Sequence, residues 1–153
     1  MKTGASRLRT SDVFLEDWVT LANDYNLQIA VTLLVNGTLV SGTITSGAEF
    51  MEYVGRSISE AAESNHKTLG EAIQLHYQEV AKRLYPQKAT HSDTDQPTLP
   101  ALEGTGGRKS FFIHLKDVTL LGSRPLPTVP YWRGRLDRVD GWFIGGLKET
   151  PSK

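Results

Sequence analysis

The sequence of 153 residues predicts an α+β fold, in which a small, strongly bent antiparallel sheet or partial barrel carries an N-terminal helix and a helical insertion. Three observations predict this fold. First, the chain begins with apolar residues at helical spacing. Second, alternating apolar segments with turn signals, typical of strands, follow this helix and occur again in the last third. Third, a region of helical spacing separates the two strand-forming regions. About five strands in a meander with few helices favour a small bent sheet, of which an Sm-like or SH3-like barrel is one version.

The chain opens with a predicted flexible tail over residues 1–10, followed by a single domain over 11–153. A helix is expected to begin near Ser11 or Asp12, because both residue types are good N-caps and acidic residues follow in the early turns. Apolar residues then recur at the spacing of one helical stripe, which consists of Phe14, Trp18, Leu21, Ala22 and Tyr25.

A β-hairpin is predicted next. Residues 27–35 alternate so that their larger apolar side chains share one face of a strand. Asn36-Gly37 favours a type I′ turn, and residues 38–46 are rich in Thr, Val and Ile, as expected of the returning strand. Gly42 inside this second strand indicates a bend, a bulge or close packing.

A helical insertion is predicted at about 48–85. Two stripes at helical spacing define its helices, one starting at Phe50 and a clearer one over residues 69–84 that includes His76 as a packed imidazole. Four glutamates of the insertion, Glu49, Glu52, Glu60 and Glu63, are interpreted as a solvated helix face. Residues 87–109 are rich in Pro, Gly, Thr and Asp and predict a long mobile loop.

The last third returns to strand patterns. Residues 110–122 and 131–139 are predicted strands, and Arg133 and Arg135 lie on the polar side of the second of these. Asp140-Gly141 is a second hairpin signal, and residues 142–147 form the predicted last strand.

Composition excludes several classes of chemistry. The chain has no cysteine, which removes disulfides, thiolate metal sites and cysteine nucleophiles. Its histidines lack the spacing of a metal site, and no nucleophile elbow or triad can be recognised, so we predict a protein that is not an enzyme and has no cofactor or metal. The 17 basic and 17 acidic side chains balance, but residues 1–107 are net acidic and 108–153 net basic. Such opposed halves can attract copies of the same chain, although pairing of the two halves inside one fold is the favoured interpretation.

Two clusters in the C-terminal third are candidate interaction sites. The first joins one aromatic side chain to three guanidinium groups, in Trp132, Arg133, Arg135 and Arg138. Arginine with aromatic residues can stack on bases or anchor a protein interface. The alternative interpretation, which is the favoured one, is a strand with one apolar and one charged face.

The second cluster is the apolar run 142–147, which begins with Trp142 and Phe143. It has bulky residues on both faces of a strand, so it is either buried on both sides or covered by a partner. Burial within the chain is favoured, because an uncovered apolar edge would invite pairing with another chain.

Blocks spread over about half of the chain carry a family resemblance. They are VNG at 35–37, SGT at 41–43, FIHLK at 112–116, WRGR at 132–135 and VDG at 139–141, with Phe143 and Gly145. In this order they resemble the gas vesicle accessory protein GvpU family. The resemblance implies a non-enzymatic, cytoplasmic, gas vesicle associated protein that controls vesicle clustering.

The resemblance also implies the partners, which would be the gas vesicle shell or other gas vesicle proteins, and the protein itself. A membrane is not expected as a partner, since no run approaches the length of a membrane span. The alternative prediction is an Sm-like nucleic-acid-binding module, in which Arg133 and Arg135 would contact phosphate, although the zero net charge argues against nucleic acid as the partner.

Overall fold

The computed structural model describes residues 11–87, 110–122 and 127–147. The predicted tail at 1–10 and the predicted loop, apart from its first residue, lie outside these ranges. The described elements, in chain order, are α1 (Val13–Tyr25), β1 (Ile29–Val35), β2 (Thr38–Thr45), α2 (Gly47–Glu63), α3 (Lys67–Leu84), β3 (Phe112–Leu121), β4 (Thr128–Arg135), a 3₁₀ helix (Leu136–Arg138) and β5 (Val139–Ile144).

The five strands form one antiparallel sheet in the order β4-β3-β2-β1-β5. β4 and β5 therefore lie at opposite edges, although only the 3₁₀ helix separates them in the chain. In a flat sheet these edges would be about 19 Å apart, whereas the connecting residues reach at most about 14 Å. The sheet must therefore curl into a partial barrel that stays open, which confirms the predicted α+β fold with its N-terminal helix and helical insertion.

The first hairpin follows the sequence signals closely. Asn36 and Gly37 have φ values of 49° and 80°, as a type I′ turn requires. The register between β2 and β3 shifts at Gly42, where a Cβ atom would lie 3.0 Å from the carbonyl oxygen of Lys116. Gly42 thus marks a bulge at which two strands approach closely.

The second predicted hairpin, at Asp140-Gly141, is wrong. Both residues lie inside β5, and Gly141 pairs with Leu34 of β1. The chain turns earlier, in the 3₁₀ helix, because the buried side chain of Leu136 belongs to the core. The Asp140 carboxylate instead accepts a hydrogen bond from the backbone N–H of Asn36 (3.0 Å) and so supports the first hairpin turn.

The core lies between α1 and one face of the curled sheet. Asp12 caps α1, since its carboxylate accepts hydrogen bonds from the backbone N–H groups of Phe14 and Leu15. The core side chains share nearly complete burial; they are Leu15, Val19, Ala22, Val31, Leu33, Val40, Ile44, Ile113, Leu115, Val118 and Leu136. Of the α1 residues in this core, Ala22 lies on the predicted stripe, whereas Leu15 and Val19 lie beside it. Phe14, which starts the predicted stripe, remains 60% exposed.

Small residues bring α2 and α3 together. A Cβ atom on Gly55 would lie 2.5 Å from the Cβ of Tyr77, and one on Gly70 would lie 3.0 Å from the carbonyl oxygen of Ser59. The helices therefore pack closely along a line that hydropathy does not mark. The prediction of a packed imidazole at His76 is wrong, because this side chain is exposed on the outer face of α3.

Candidate interaction surfaces

The basic strand β4 presents different chemistry on its two faces. Trp132 points to the core side, where it packs half-buried against the core cluster. Arg133 is exposed on the opposite face, and its guanidinium carbon lies 3.7 Å from the centroid of the Phe112 ring. This is the geometry of a cation–π contact. The strand thus has the apolar and charged faces of the alternative interpretation, and its charged face carries a stacked arginine.

The other two predicted arginines lie at the end of this strand. Arg135 is exposed and forms a two-point ion pair with Asp137, with donor–acceptor distances of 3.0 and 2.6 Å. Arg138 is exposed in the 3₁₀ helix that follows. We call Arg133, Arg135 and Arg138 the basic edge, because they follow one edge strand and its exit.

A second surface forms where α1 meets β5. Trp142 is half-buried, with its ring centroid 4.6 Å from that of Trp18 and 6.4 Å from that of Phe14. Phe143 is 44% exposed and Ile144 is 67% exposed. The favoured expectation is that the apolar run 142–147 is buried within the chain. For Phe143 and Ile144 this expectation is wrong. We call Phe14, Trp18, Trp142, Phe143 and Ile144 the apolar edge.

Beyond β5 the chain folds back across the sheet. Gly145, with φ of 106°, begins this turn, and its carbonyl oxygen accepts a hydrogen bond from the Thr32 hydroxyl (2.9 Å). The backbone N–H of Leu147 donates to the Ser41 hydroxyl (2.9 Å). These contacts satisfy two buried hydroxyl groups and end β5 sharply after Ile144.

Glu49 attaches the helical insertion to the sheet, and the prediction that it belongs to a solvated face is wrong. Its carboxylate accepts hydrogen bonds from the hydroxyls of Thr45 (2.5 Å) and Tyr131 (2.7 Å) and from the ammonium of Lys116 (3.1 Å). Burial acts to raise the pKa of Glu49, but these hydrogen bonds and the Lys116 charge hold it below its ordinary value. Burial, and then the bond to Glu49, raise the pKa of Tyr131 to about 12.

His114 is a buried imidazole on β3, 1% exposed. The ring of Phe50 lies 4.7 Å away and that of Tyr85 lies 5.8 Å away, measured between centroids. Neither ring nitrogen has a hydrogen-bond partner within the described ranges. Burial, and to a lesser extent the Arg133 charge, lower the pKa of His114 to about 3, so this residue is neutral.

The structure separates the predicted site residues into two groups. The basic edge belongs to β4 and the 3₁₀ helix, and the apolar edge belongs to β5 and α1, so the two lie on the strands at opposite ends of the strand order. Sequence reasoning missed the contribution of Phe14 and Trp18 to the apolar edge, and the anchoring role of Glu49. Ser46 and Glu49 have the spacing of a capping box, and the Ser46 hydroxyl accepts from the Glu49 backbone N–H (3.1 Å). This signal marks the start of α2, but it does not predict the bonds of the Glu49 carboxylate to Lys116 and Tyr131.

No group of three or more metal-binding side chains occurs in the described part of the chain. None of the helices described is long and apolar enough to span a membrane. The fold and its exposed edges define a small open-barrel protein that carries a helical hairpin and two chemically distinct surfaces.

A family model described as gas vesicle protein GvpU-like matches residues 12–147. The match covers nearly the whole chain, so the chain belongs to this family and is a gas vesicle associated protein. No curated protein and no solved structure matches it.

Proposed function

We propose that this chain is a non-enzymatic, cytoplasmic accessory protein that associates with the gas vesicle shell or another gas vesicle protein, associates with itself, and thereby promotes clustering of gas vesicles. One observation carries the proposal: two surfaces of different chemistry lie at opposite edges of one sheet. A protein with two such surfaces can hold two partners at once. Weak contacts repeated over a large shelled particle then produce strong attachment through avidity.

The charges support self-association without requiring it to be tight. The 17 basic and 17 acidic side chains cancel, so copies of the chain do not repel one another strongly. If clustering depends on the basic edge, added sodium chloride should weaken it, because screening shortens to about 8 Å at 0.15 M ionic strength. If it depends on the apolar edge, sulfate should strengthen it.

The test is to mix purified protein with purified gas vesicles and to measure co-flotation and clustering by scattering and light microscopy. Arg133→Ser with Arg135→Ser should reduce clustering if the basic edge contacts vesicles. The matched control is Lys82→Ser, which removes an exposed charge from α3. Dispersed vesicles without co-floating protein, over the whole range of protein doses and salt concentrations, would refute vesicle binding.

A second candidate function is an Sm-like nucleic-acid-binding module. The specific observation in its favour is Arg133 stacked on Phe112 at an exposed strand, which resembles the way bases are held by arginine and aromatic side chains. Fluorescence anisotropy with a labelled single-stranded RNA tests it. Binding should fall steeply with salt and disappear in Arg133→Glu with Arg135→Glu, whereas no binding at low salt would remove this candidate.

A further inference from the structure

We infer that β5 is a docking strand for a second copy of this chain, and that two β5 strands pair antiparallel about a two-fold axis at Phe143. This inference deepens the self-association in the proposed function and rests on it. It assigns a partner and a register to the apolar edge, and it follows from the backbone of β5, its side chains and the contrast with β4.

The backbone of β5 has hydrogen-bonding groups that face away from β1. The backbone N–H of Gly145 donates to the carbonyl oxygen of Ala30 (2.8 Å), which marks Gly145 as a position whose peptide groups face β1. Because facing alternates along an antiparallel strand, Phe143 also faces β1, while Trp142 and Ile144 direct their N–H and C=O groups outward. No strand in the described ranges lies beyond β5.

The side chains on this edge are those that a strand pair buries. Phe143 is 44% exposed on one face, beside Leu34, which is 37% exposed. On the other face Ile144 is 67% exposed next to Trp142. Apolar side chains on both faces of an edge strand are typical of a strand that pairs with another chain.

The opposite edge of the sheet is protected against such pairing. β4 contains Pro130, which has no N–H to donate, and the exposed charges of Arg133 and Arg135. Proline and basic residues are devices by which edge strands avoid pairing. Residues 141–147 contain neither proline nor a charged side chain. This contrast favours pairing of β5 with β5 over head-to-tail pairing of β5 with β4.

The outward-facing positions fix the register. With Phe143 opposite its own copy, Trp142 of each chain lies opposite Ile144 of the other, and both residues direct their peptide groups at the partner. This gives two aromatic–β-branched pairs, which are favourable cross-strand neighbours, and brings the two Phe143 side chains together. About four interstrand hydrogen bonds form between the two short strands. A standard interface involves roughly 20–30 residues on each side, so this contact is smaller and we expect a weak, reversible dimer.

Sedimentation equilibrium of the full chain and of Ile144→Pro tests the backbone contribution. Proline at this position removes an outward N–H without removing a bond to β1, so the monomer should keep its circular dichroism and its melting temperature. The dimer dissociation constant should rise by about tenfold or more, because two hydrogen bonds are lost per dimer. Ile144→Val, which keeps the N–H, is the matched control and should dimerise as the original chain does.

Cross-linking tests the register, and the absence of native cysteine makes it specific. Residues opposite each other at a non-hydrogen-bonded position have Cα atoms about 4.5 Å apart, within the range that a disulfide spans. Phe143→Cys should therefore form a covalent dimer under mild oxidation. The control is Thr128→Cys, which places an exposed thiol on β4 and should not.

Three results would overturn the inference: a chain that stays monomeric at the highest concentration reached, a dimer that Ile144→Pro leaves unchanged, or equal cross-linking at positions 128 and 143. The vesicle assay separates this inference from the proposed function. If the chain is monomeric and still clusters vesicles, only the inferred β5 pairing is refuted. If the chain dimerises through β5 and does not float with vesicles, only the proposed function is refuted.

Discussion

The buried imidazole of His114 makes the stability of this fold depend on pH in a defined window. Both ring nitrogens lack partners among the described residues, and burial with the nearby Arg133 charge lowers the pKa to about 3, against an ordinary value of 6.5. The folded chain therefore keeps this ring neutral while the unfolded chain protonates it. The contribution of His114 to the unfolding free energy is complete above pH 6.5. It is lost progressively as the pH falls below 6.5, and the loss levels off near pH 3.

The size of the effect follows from these two pKa values. Each pH unit below 6.5 costs about 1.4 kcal/mol of unfolding free energy. Between pH 7 and pH 5 the loss from His114 is about 2 kcal/mol, and this figure depends only on the folded pKa lying well below 5. Glu49 does not interfere, because its pKa lies below 4.5 and its own contribution is lost only at lower pH.

The perturbation is His114→Leu, which is close in volume and cannot be protonated. We expect this variant to lose about 2 kcal/mol less than the original chain between pH 7 and pH 5, as measured by urea unfolding followed by circular dichroism. It should also be about 1–3 kcal/mol more stable at pH 7, because two unsatisfied buried nitrogens are removed. His76→Leu, at an exposed position on α3, is the control. Equal pH dependence in the original chain and His114→Leu would refute the reasoning.

Three further predictions concern the contacts that hold the elements in place. Glu49→Gln should lower the unfolding free energy by about 1–2 kcal/mol, since it weakens charge-assisted hydrogen bonds, and should bring the pKa of Tyr131 down from about 12, measured by ultraviolet titration. Gly55→Val should cost about 1–3 kcal/mol, because its Cβ would lie 2.5 Å from that of Tyr77; urea unfolding measures it. Asp12→Ala should cost about 1 kcal/mol through loss of the α1 cap, measured as a lower melting temperature.

Each of these changes has a matched control in the chain. Glu60→Gln changes the same residue type on the exposed face of α2, and Ala61→Val adds bulk at an exposed position of that helix. Thr20→Ala alters an exposed side chain of α1 that does not cap it. A Tyr131 titration unchanged in Glu49→Gln, or a Gly55→Val variant as stable as Ala61→Val, would contradict the contacts described above.

Local signals were sufficient for the first hairpin and for the helices as elements. The Asn36-Gly37 turn and the alternation in β1 each depend on residues within a few positions of one another. The same is true of Asp12, whose capping contacts lie in the next turn. Such features follow from dihedral preferences and strand periodicity, which a sequence displays directly.

The remaining features depend on contacts between distant segments. Asp140-Gly141 has turn chemistry, but burial of Leu136 in the core moves the turn upstream. Glu49 is a charged residue of a kind that is usually exposed to solvent, yet its partners lie on β3 and β4. The α2–α3 contact runs through small residues such as Gly55, which apolar periodicity does not mark. The apolar edge was visible as a run of residues, but its exposure depends on which strand lies at the end of the sheet.

The register between β2 and β3 places Thr45 directly opposite His114. The long segment that holds both inserted helices therefore leaves and re-enters the sheet at neighbouring points, like the loop of an ordinary hairpin. Closing a longer loop costs little, about 0.6 kcal/mol for each doubling of its length. The strand pairing on either side should therefore persist when this segment lengthens or shortens, provided that the contacts of Glu49, Phe50 and Tyr85 with β3 and β4 are kept.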